Sequence, residues 1–181
     1  MSLLYDYGLM YAWDQPHLIG NPHLFLSDFK LRVQDDFVQK WFSSIRNSNK
    51  LIVYKELKQS FEFEDYLLYT SCRQNRVFLT KLRISAHSLR VETGRYARQR
   101  LDRNQRICNY CNKNVIEDEY HFIMECQAYD LIRKKYINKY YITRSNMFKL
   151  VQLFTSSKRN VLNLSKYLNE AFKIRNSLQI A

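Results

Sequence analysis

Three cysteines and one histidine lie close together in the second half of the chain. They are Cys108, Cys111, His121 and Cys126, in the pattern C-x2-C-x9-H-x4-C. A C-x2-C pair forms a tight knuckle that presents two thiolates to one ion, and a histidine and a third cysteine complete a tetrahedron. Sulfur ligands with one imidazole are typical of structural zinc. The spacing therefore predicts one structural Zn2+ site.

The closed ligand set also bears on catalysis. All four positions are filled by protein side chains, so no open position remains for an activated water, and the sequence has no His-x-Glu pair of the deaminase type. We therefore expect no enzymatic activity. The alternative interpretation of the cluster is a set of ordinary buried cysteines with a surface histidine. Cys72 lies outside the cluster and is expected to be a free core thiol.

A short helix over residues 117–125 is expected to position the second half of the cluster. On an α-helix, His121 and a residue five positions later are about 140° apart. Cys126 is therefore expected at the helix end, where the chain can bend back to the metal. The acidic residues around His121 include a candidate for orienting its imidazole, and Phe122 and Ile123 are expected to pack against the helical body.

A strongly basic segment precedes the cluster. Residues 73–106 carry ten Lys or Arg residues against Glu92 and Asp102, a balance of +8 in a chain of formal net charge +12. Nine of the ten are arginine, whose planar guanidinium suits phosphate, so the pattern favours an anionic polymer over a merely solvated surface. The candidate nucleic-acid contacts are Arg83, Arg90, Arg95, Tyr96, Arg98, Arg100, Arg103 and Arg106. Tyr96 and Tyr110 are the residues that we expect to stack on exposed bases.

The composition limits the fold class. The chain has 181 residues, of which 46% are hydrophobic and 15% aromatic, enough to bury a core. Only three Gly and two Pro are present, which are few turn residues for a many-stranded sheet. We predict an all-α fold, an irregular helical bundle with a small zinc-knuckle insertion.

Apolar periodicity locates the helices. Leu26, Phe29, Val33, Phe37 and Trp41 recur at intervals of three and four, which predicts a helix over residues 22–47. Weaker patterns predict further helices at residues 50–58, 65–71, 75–84, 146–154 and 161–172. The predicted segments are a helical body at 1–84, an exposed basic arm at 85–107, a zinc knuckle at 108–126, and C-terminal helices that pack on the body at 127–181.

The sequence favours an intracellular protein, nuclear or cytoplasmic. The N-terminus lacks a basic start and Asp6 interrupts its short apolar stretch, so we expect no secretory signal peptide. No apolar run approaches the roughly 18 residues of a membrane span, and no membrane partner is expected. In a reducing compartment, closely spaced cysteines are metal ligands more often than disulfide partners.

Several short motifs surround the cluster. They are LRISAHSL at 82–89, ETGRY at 92–96, RICNYC at 106–111, IEDEYHF at 116–122, and Cys126. These motifs resemble the C-terminal segment of reverse-transcriptase proteins of non-LTR retrotransposons, which ends in a cysteine-cysteine-histidine-cysteine knuckle. The resemblance covers about residues 76–135. It implies a nucleic-acid-binding tail that holds template RNA or target DNA during target-primed reverse transcription, beside a parent reverse-transcriptase domain.

The chain departs from that family in one large respect. It lacks the fingers-palm fold, its carboxylate motif and any endonuclease signature, so the resemblance implies a fragment and carries no polymerase activity. The leading hypothesis is a zinc-stabilised module that binds RNA, single-stranded DNA or target DNA. The alternative is a zinc-folded protein-protein interaction domain that does not bind nucleic acid.

Overall fold

A long helix follows a series of short helical turns at the start of the chain. The turns are α1 (Leu3–Asp6), α2 (Tyr11–Asp14) and a 3₁₀ turn (Pro16–Ile19), and the long helix is α3 (Pro22–Asn47). The computed structural model describes residues 3–178. Residues 1, 2 and 179–181, at the ends of the predicted segments 1–84 and 127–181, lie outside the described residues.

Local chemistry explains where α3 begins. The Asn21 side chain accepts a hydrogen bond from the backbone N–H of His23 at 2.9 Å, which satisfies a donor that the first turn leaves unpaired. Pro22 occupies the first turn, where its missing N–H costs nothing. The helix predicted over residues 22–47 is confirmed at both ends. Phe29 packs edge to face on Tyr7, with ring centroids 5.8 Å apart.

The rest of the described chain is helical as well. Its α-helices are α4 (Ile52–Leu57), α5 (Tyr66–Tyr69), α6 (Arg73–Arg83), α7 (Arg90–Thr93), α8 (Asp130–Tyr136), α9 (Lys139–Ile142), α10 (Met147–Thr155) and α11 (Lys158–Leu178). A π-helix (His121–Glu125) and 3₁₀ turns at Arg103–Gln105 and Gln127–Tyr129 complete the set. Between residues 3 and 178 no β-strand forms, and β pairing is limited to the isolated antiparallel bridge between Ile107 and Ile116.

The predicted all-α, irregular fold is therefore confirmed. The chain divides into two units, Met1–Ser48 and Asn49–Ala181, with the boundary inside the predicted segment 1–84. No helix in the described part of the chain combines the length and the apolar composition needed to cross a bilayer.

The core of the unit Asn49–Ala181 is arranged around α11. This helix packs against α5, α6, α8 and α10, and it buries Leu164, Leu168 and Phe172. The Phe172 ring stacks on Phe78 of α6 at 5.2 Å and contacts Phe122 of the π-helix at 4.9 Å. Phe122 is fully buried, as the sequence predicts.

The π-helix leaves backbone carbonyls that its own hydrogen bonds do not satisfy. The Tyr167 hydroxyl donates to the carbonyl of Phe122 at 2.7 Å. The guanidinium of Arg133 donates to the carbonyls of Ile123, at 2.7 Å, and Cys126, at 2.6 Å. Buried carbonyls without partners would cost free energy, so these two side chains allow the π-helix to exist inside the core.

Replacing Tyr167 with Phe tests this dependence. The substitution keeps the ring and removes only the hydroxyl, so the Phe122 carbonyl is left unsatisfied. We expect the free energy of unfolding to fall by about 1 to 2 kcal/mol, measured by urea denaturation. Tyr140→Phe is the matched control, because Tyr140 is 52% exposed. Equal stability of the two variants would contradict the role of the Tyr167 hydroxyl.

Candidate metal centre and basic loop

The first two cysteines lie in a turn closed by backbone pairing. The Cys108 N–H donates to the carbonyl of Val115 at 2.8 Å, and the Glu117 N–H donates to the carbonyl of Arg106 at 2.9 Å. These bonds flank the antiparallel bridge between residues 107 and 116. The connecting turn includes Asn114 in the left-handed region, with φ at 51°. The knuckle predicted from the C-x2-C spacing is therefore held by a short paired frame.

The π-helix brings the other two candidate ligands together. The Cys126 N–H donates to the carbonyl of His121 at 2.8 Å, an i to i+5 bond that places the two residues one turn apart. Cys126 is the residue at which the helix ends, as predicted. The prediction of an ordinary α-helix over 117–125 is corrected: the helical turns begin at residue 119 and widen at His121.

All four side chains converge on one point. The candidate ligand atoms of Cys108, Cys111, His121 and Cys126 lie within 4.8 Å of one another. The sulfurs of Cys108 and Cys126 are 3.8 Å apart, and the Cys111 sulfur is 3.3 Å from Nε2 of His121. Tetrahedral zinc with its usual bond lengths requires about 3.8 Å between two sulfurs and about 3.6 Å between sulfur and nitrogen. The donor set and its dimensions fit a metal ion and are compatible with zinc.

The sulfur chemistry agrees with a metal site rather than a disulfide. A separation of 3.8 Å is far longer than the roughly 2.05 Å of a disulfide bond, and all four cysteines of the chain are free. The hydrogen bond between the Cys126 and Cys108 thiols lowers the pKa of the Cys108 thiol. A lowered pKa favours the thiolate, which is the form that binds metals.

The imidazole of His121 is oriented by its own helix. Asp118 accepts a hydrogen bond from the backbone N–H of His121 at 2.9 Å and so caps the start of this helical segment. Nε2 of His121 faces the sulfur cluster, while Nδ1 is buried without a hydrogen bond and lies 3.6 Å from the carboxylate of Glu125. Glu125 is therefore the acidic residue that is placed to orient the ring.

The predicted basic arm is only partly exposed. Leu89 and Val91 are buried, and Glu117 accepts a hydrogen bond from the backbone N–H of Arg90 at 2.8 Å, at the start of α7. The expectation of an exposed, irregular arm over the whole of 85–107 is corrected for this first part. The apolar residues Leu89 and Val91 hold it against the core.

Residues 95–105 form a loop that closes at its base, which we call the basic loop. The Leu101 N–H donates to the carbonyl of Gly94 at 3.0 Å. Arg106 donates to the carbonyl of Val91 at 2.7 Å and to that of Leu101 at 2.8 Å. A Cβ atom on Gly94 would lie 2.8 Å from Cγ of Arg106, so only glycine allows this close packing.

The eight candidate nucleic-acid contacts differ in how far they are buried. Arg83 and Arg106 are each only 4% exposed, and their guanidinium groups are engaged inside the protein. Arg83 pairs with Glu64 and lies over the Tyr66 ring at 4.5 Å. The prediction that Arg83 and Arg106 contact phosphate is therefore corrected by their burial. Arg90 is half-buried and its Nε is buried as well.

The remaining candidates lie on the basic loop. Tyr96, Arg98 and Arg100 are exposed, and among residues 3–178 no ion pair or hydrogen bond involves the two guanidinium groups. Arg95 donates to Glu92 at 3.0 Å and to the carbonyl of Asn49 at 2.7 Å, so it helps to anchor the loop. Arg103 pairs with Asp118 at 3.2 Å.

A buried ion pair that the sequence analysis missed joins α11 to this region. Arg175 makes two hydrogen bonds to the carboxylate of Glu117, at 2.9 and 3.0 Å, and lies over the Tyr110 ring at 5.1 Å. Both partners are 1% exposed. The one available signal was a lone arginine on the apolar face of the last helix, in register with Leu168 and Phe172.

Comparisons with known proteins add no relative. No protein-family model matches the chain, and neither the curated proteins nor the solved structures include a significant match.

Metal analysis tests the cluster directly. We expect the purified chain to carry about one equivalent of zinc and Cys111→Ser to lose most of it, because one of four ligands is removed. Cys72→Ser is the matched control, since Cys72 lies outside the cluster and is exposed, which corrects the expectation of a core thiol. The readout is metal content by elemental analysis. Far less than one equivalent in the unmodified chain would reject the site.

The Glu117–Arg175 pair gives a second prediction. Glu117→Gln keeps the shape and removes the charge, which leaves a buried guanidinium uncompensated. We expect the free energy of unfolding to fall by about 3 to 5 kcal/mol in denaturant. Glu170→Gln, which weakens a partly exposed pair with Lys135, should change it by less than about 1 kcal/mol. Similar losses from both variants would argue against a special role of the buried pair.

Proposed function

We propose that this chain is a zinc-stabilised nucleic-acid-binding module that holds RNA, single-stranded DNA or target DNA. The observation that carries the proposal is the basic loop, which presents exposed arginines beside a four-ligand metal cluster. Arg98 and Arg100 are free to meet phosphate, and Tyr96, 75% exposed, is free to stack on a base.

Zinc has a structural role in this proposal. A bound zinc ion would supply bonds to Cys108, Cys111, His121 and Cys126 and thereby hold the knuckle against the π-helix. All four ligands come from the protein, so the site is structural. The chain's own residues do the binding: the loop offers positive charge, and its closed base limits how far that charge can move.

Charge supports a polyanionic partner. The chain carries a formal net charge of +12, and arginine binds phosphate with two parallel hydrogen bonds. Binding to phosphates releases counterions, so affinity for nucleic acid should fall steeply as salt rises. A protein partner recognised by the apolar helices would show a much weaker dependence on salt.

The proposed origin is the C-terminal segment of a non-LTR retrotransposon reverse transcriptase. Its support is the set of motifs around residues 82–126, together with the cysteine and histidine spacing. In that setting the module would act next to a parent reverse-transcriptase domain. The proposal gives the module itself no polymerase or nuclease activity.

A double variant of the loop tests nucleic-acid binding. Arg98→Ala combined with Arg100→Ala removes two exposed charges and spares Arg95, which anchors the loop through Glu92. We expect affinity for a single-stranded oligonucleotide to fall about tenfold or more, and the slope of log K against log salt to become shallower by about 1.4. Fluorescence anisotropy over a range of salt concentrations measures both quantities.

The matched control removes two arginines from the other unit. Arg32 and Arg46 are exposed on α3, so Arg32→Ala with Arg46→Ala changes net charge equally. We expect that control to bind nearly as the unmodified chain does. Absence of binding in the unmodified chain, or binding that does not depend on salt, would reject the proposal in favour of a protein-interaction domain.

A further inference from the structure

The last helix presents a row of exposed cations that the basic loop does not include. Arg159, Lys166 and Lys173 follow one another at intervals of seven residues on α11, and all three are exposed. Seven residues make nearly two turns, so the three side chains share one face, about 10 Å apart and about 21 Å from end to end. We call these three residues the α11 stripe.

No carboxylate in the described part of the chain forms an ion pair with the α11 stripe, although Glu170 lies close enough to interact electrostatically with Lys173. Glu170 is the one acidic residue of α11, and it is engaged by α8: it accepts hydrogen bonds from the Tyr136 hydroxyl and from the Lys135 ammonium, the latter at 3.1 Å. Between residues 3 and 178, no ion pair or hydrogen bond involves the charged ends of the stripe.

The helix that carries the stripe is held firmly. Its opposite face lies in the core, where Leu164 and Leu168 are fully buried. The Asn169 side chain donates to Asn75 of α6 at 2.7 Å, on one flank of the exposed face, and Glu170 contacts α8 on the other. The helix backbone that carries the three cations is therefore fixed before any partner arrives, which avoids the entropy cost of ordering the helix on binding.

Near the C-terminal end of α11, residues close to the stripe and residues just before the basic loop line one cavity. A cavity of about 480 Å³ is lined by Lys81, Thr93 and Asn176, among others. Thr93 immediately precedes Gly94, where the loop closes, and Asn176 follows Lys173 by three residues. Lys81 is exposed and supplies a cation at the edge of this cavity.

We infer that the α11 stripe is a second phosphate-contacting surface, and that a nucleic-acid duplex lies along α11 from the basic loop, past Lys81, toward Arg159. The inference rests on the proposed function and adds to it the path of the ligand. A duplex fits because base pairing fixes the positions of its phosphates relative to one another. The stripe, about 21 Å long, spans about six base pairs of a duplex at 3.4 Å each. Contacts to phosphate carry no sequence information, so the contribution of the stripe should be independent of sequence.

The test is a triple variant of the stripe, Arg159→Ala with Lys166→Ala and Lys173→Ala. Alanine is the best helix former, so α11 should stay folded, and thermal unfolding checks this. For a DNA duplex of about 20 base pairs, we expect the slope of log K against log salt to become shallower by about 2.7, or about 0.9 for each lost contact. Affinity should fall about tenfold or more.

The control is Lys30→Ala with Lys40→Ala and Arg46→Ala on α3, which removes the same number and type of charges. The inference is wrong if the stripe variant keeps the unmodified slope while the Arg98 and Arg100 variant loses binding; the proposed function then stands. It is also wrong if the control variant loses as much as the stripe variant. If the unmodified chain binds neither duplex nor single strand, both proposals fail.

Discussion

The cluster of three cysteines and one histidine depends on a change of helical geometry between His121 and Cys126. An ordinary α-helix would separate these residues by about 140°, whereas the π-helix joins them through an i to i+5 hydrogen bond. The wider turn has a cost, because carbonyls that an α-helix would satisfy are left in a buried environment. Tyr167 and Arg133 supply the missing donors from α11 and α8. The ligand geometry and the helical core are thus one structure, and Cys108 and Cys126 belong to the same buried cluster as Phe122.

Arginine has two separate uses in this chain. Arg83, Arg106, Arg133 and Arg175 are buried and donate to carbonyls or carboxylates inside the protein. Arginine suits this task because one planar group can serve several acceptors at fixed angles. Burying a charge is costly unless it is paired and hydrogen-bonded, and the Arg175 pair meets that condition with two bonds to Glu117. A count of arginines in the sequence therefore overstates the positive charge on the surface. The second use of arginine, contact with phosphate in the proposed function, is left to the exposed residues of the basic loop and α11.

Residue type and local spacing carried most of what could be predicted. The ends of α3 follow from Asn21, Pro22 and a regular apolar pattern, and the ligand set follows from the chemistry of cysteine and histidine. The π-helix could not be predicted, since its stability comes from Tyr167 and Arg133, which are distant in sequence or lie outside the motif. The partial burial of the arm was missed for the same reason. Its base is fixed by Arg106, Glu117 and the absence of a side chain at Gly94, and none of these contacts leaves a periodic signal.

The short paired frame at residues 106–117 links the two halves of the candidate site. Cys108 follows Arg106 by two residues, and both belong to the backbone pairing that flanks the bridge. The turn end of this frame carries two candidate metal ligands, and the open end carries Arg106, whose guanidinium closes the basic loop. A metal ion that fixes Cys108 and Cys111 therefore also fixes the frame from which Arg106 reaches the loop. Because an ordered loop loses less conformational entropy on binding than a mobile one, a metal without any contact to phosphate would still strengthen the proposed binding of nucleic acid.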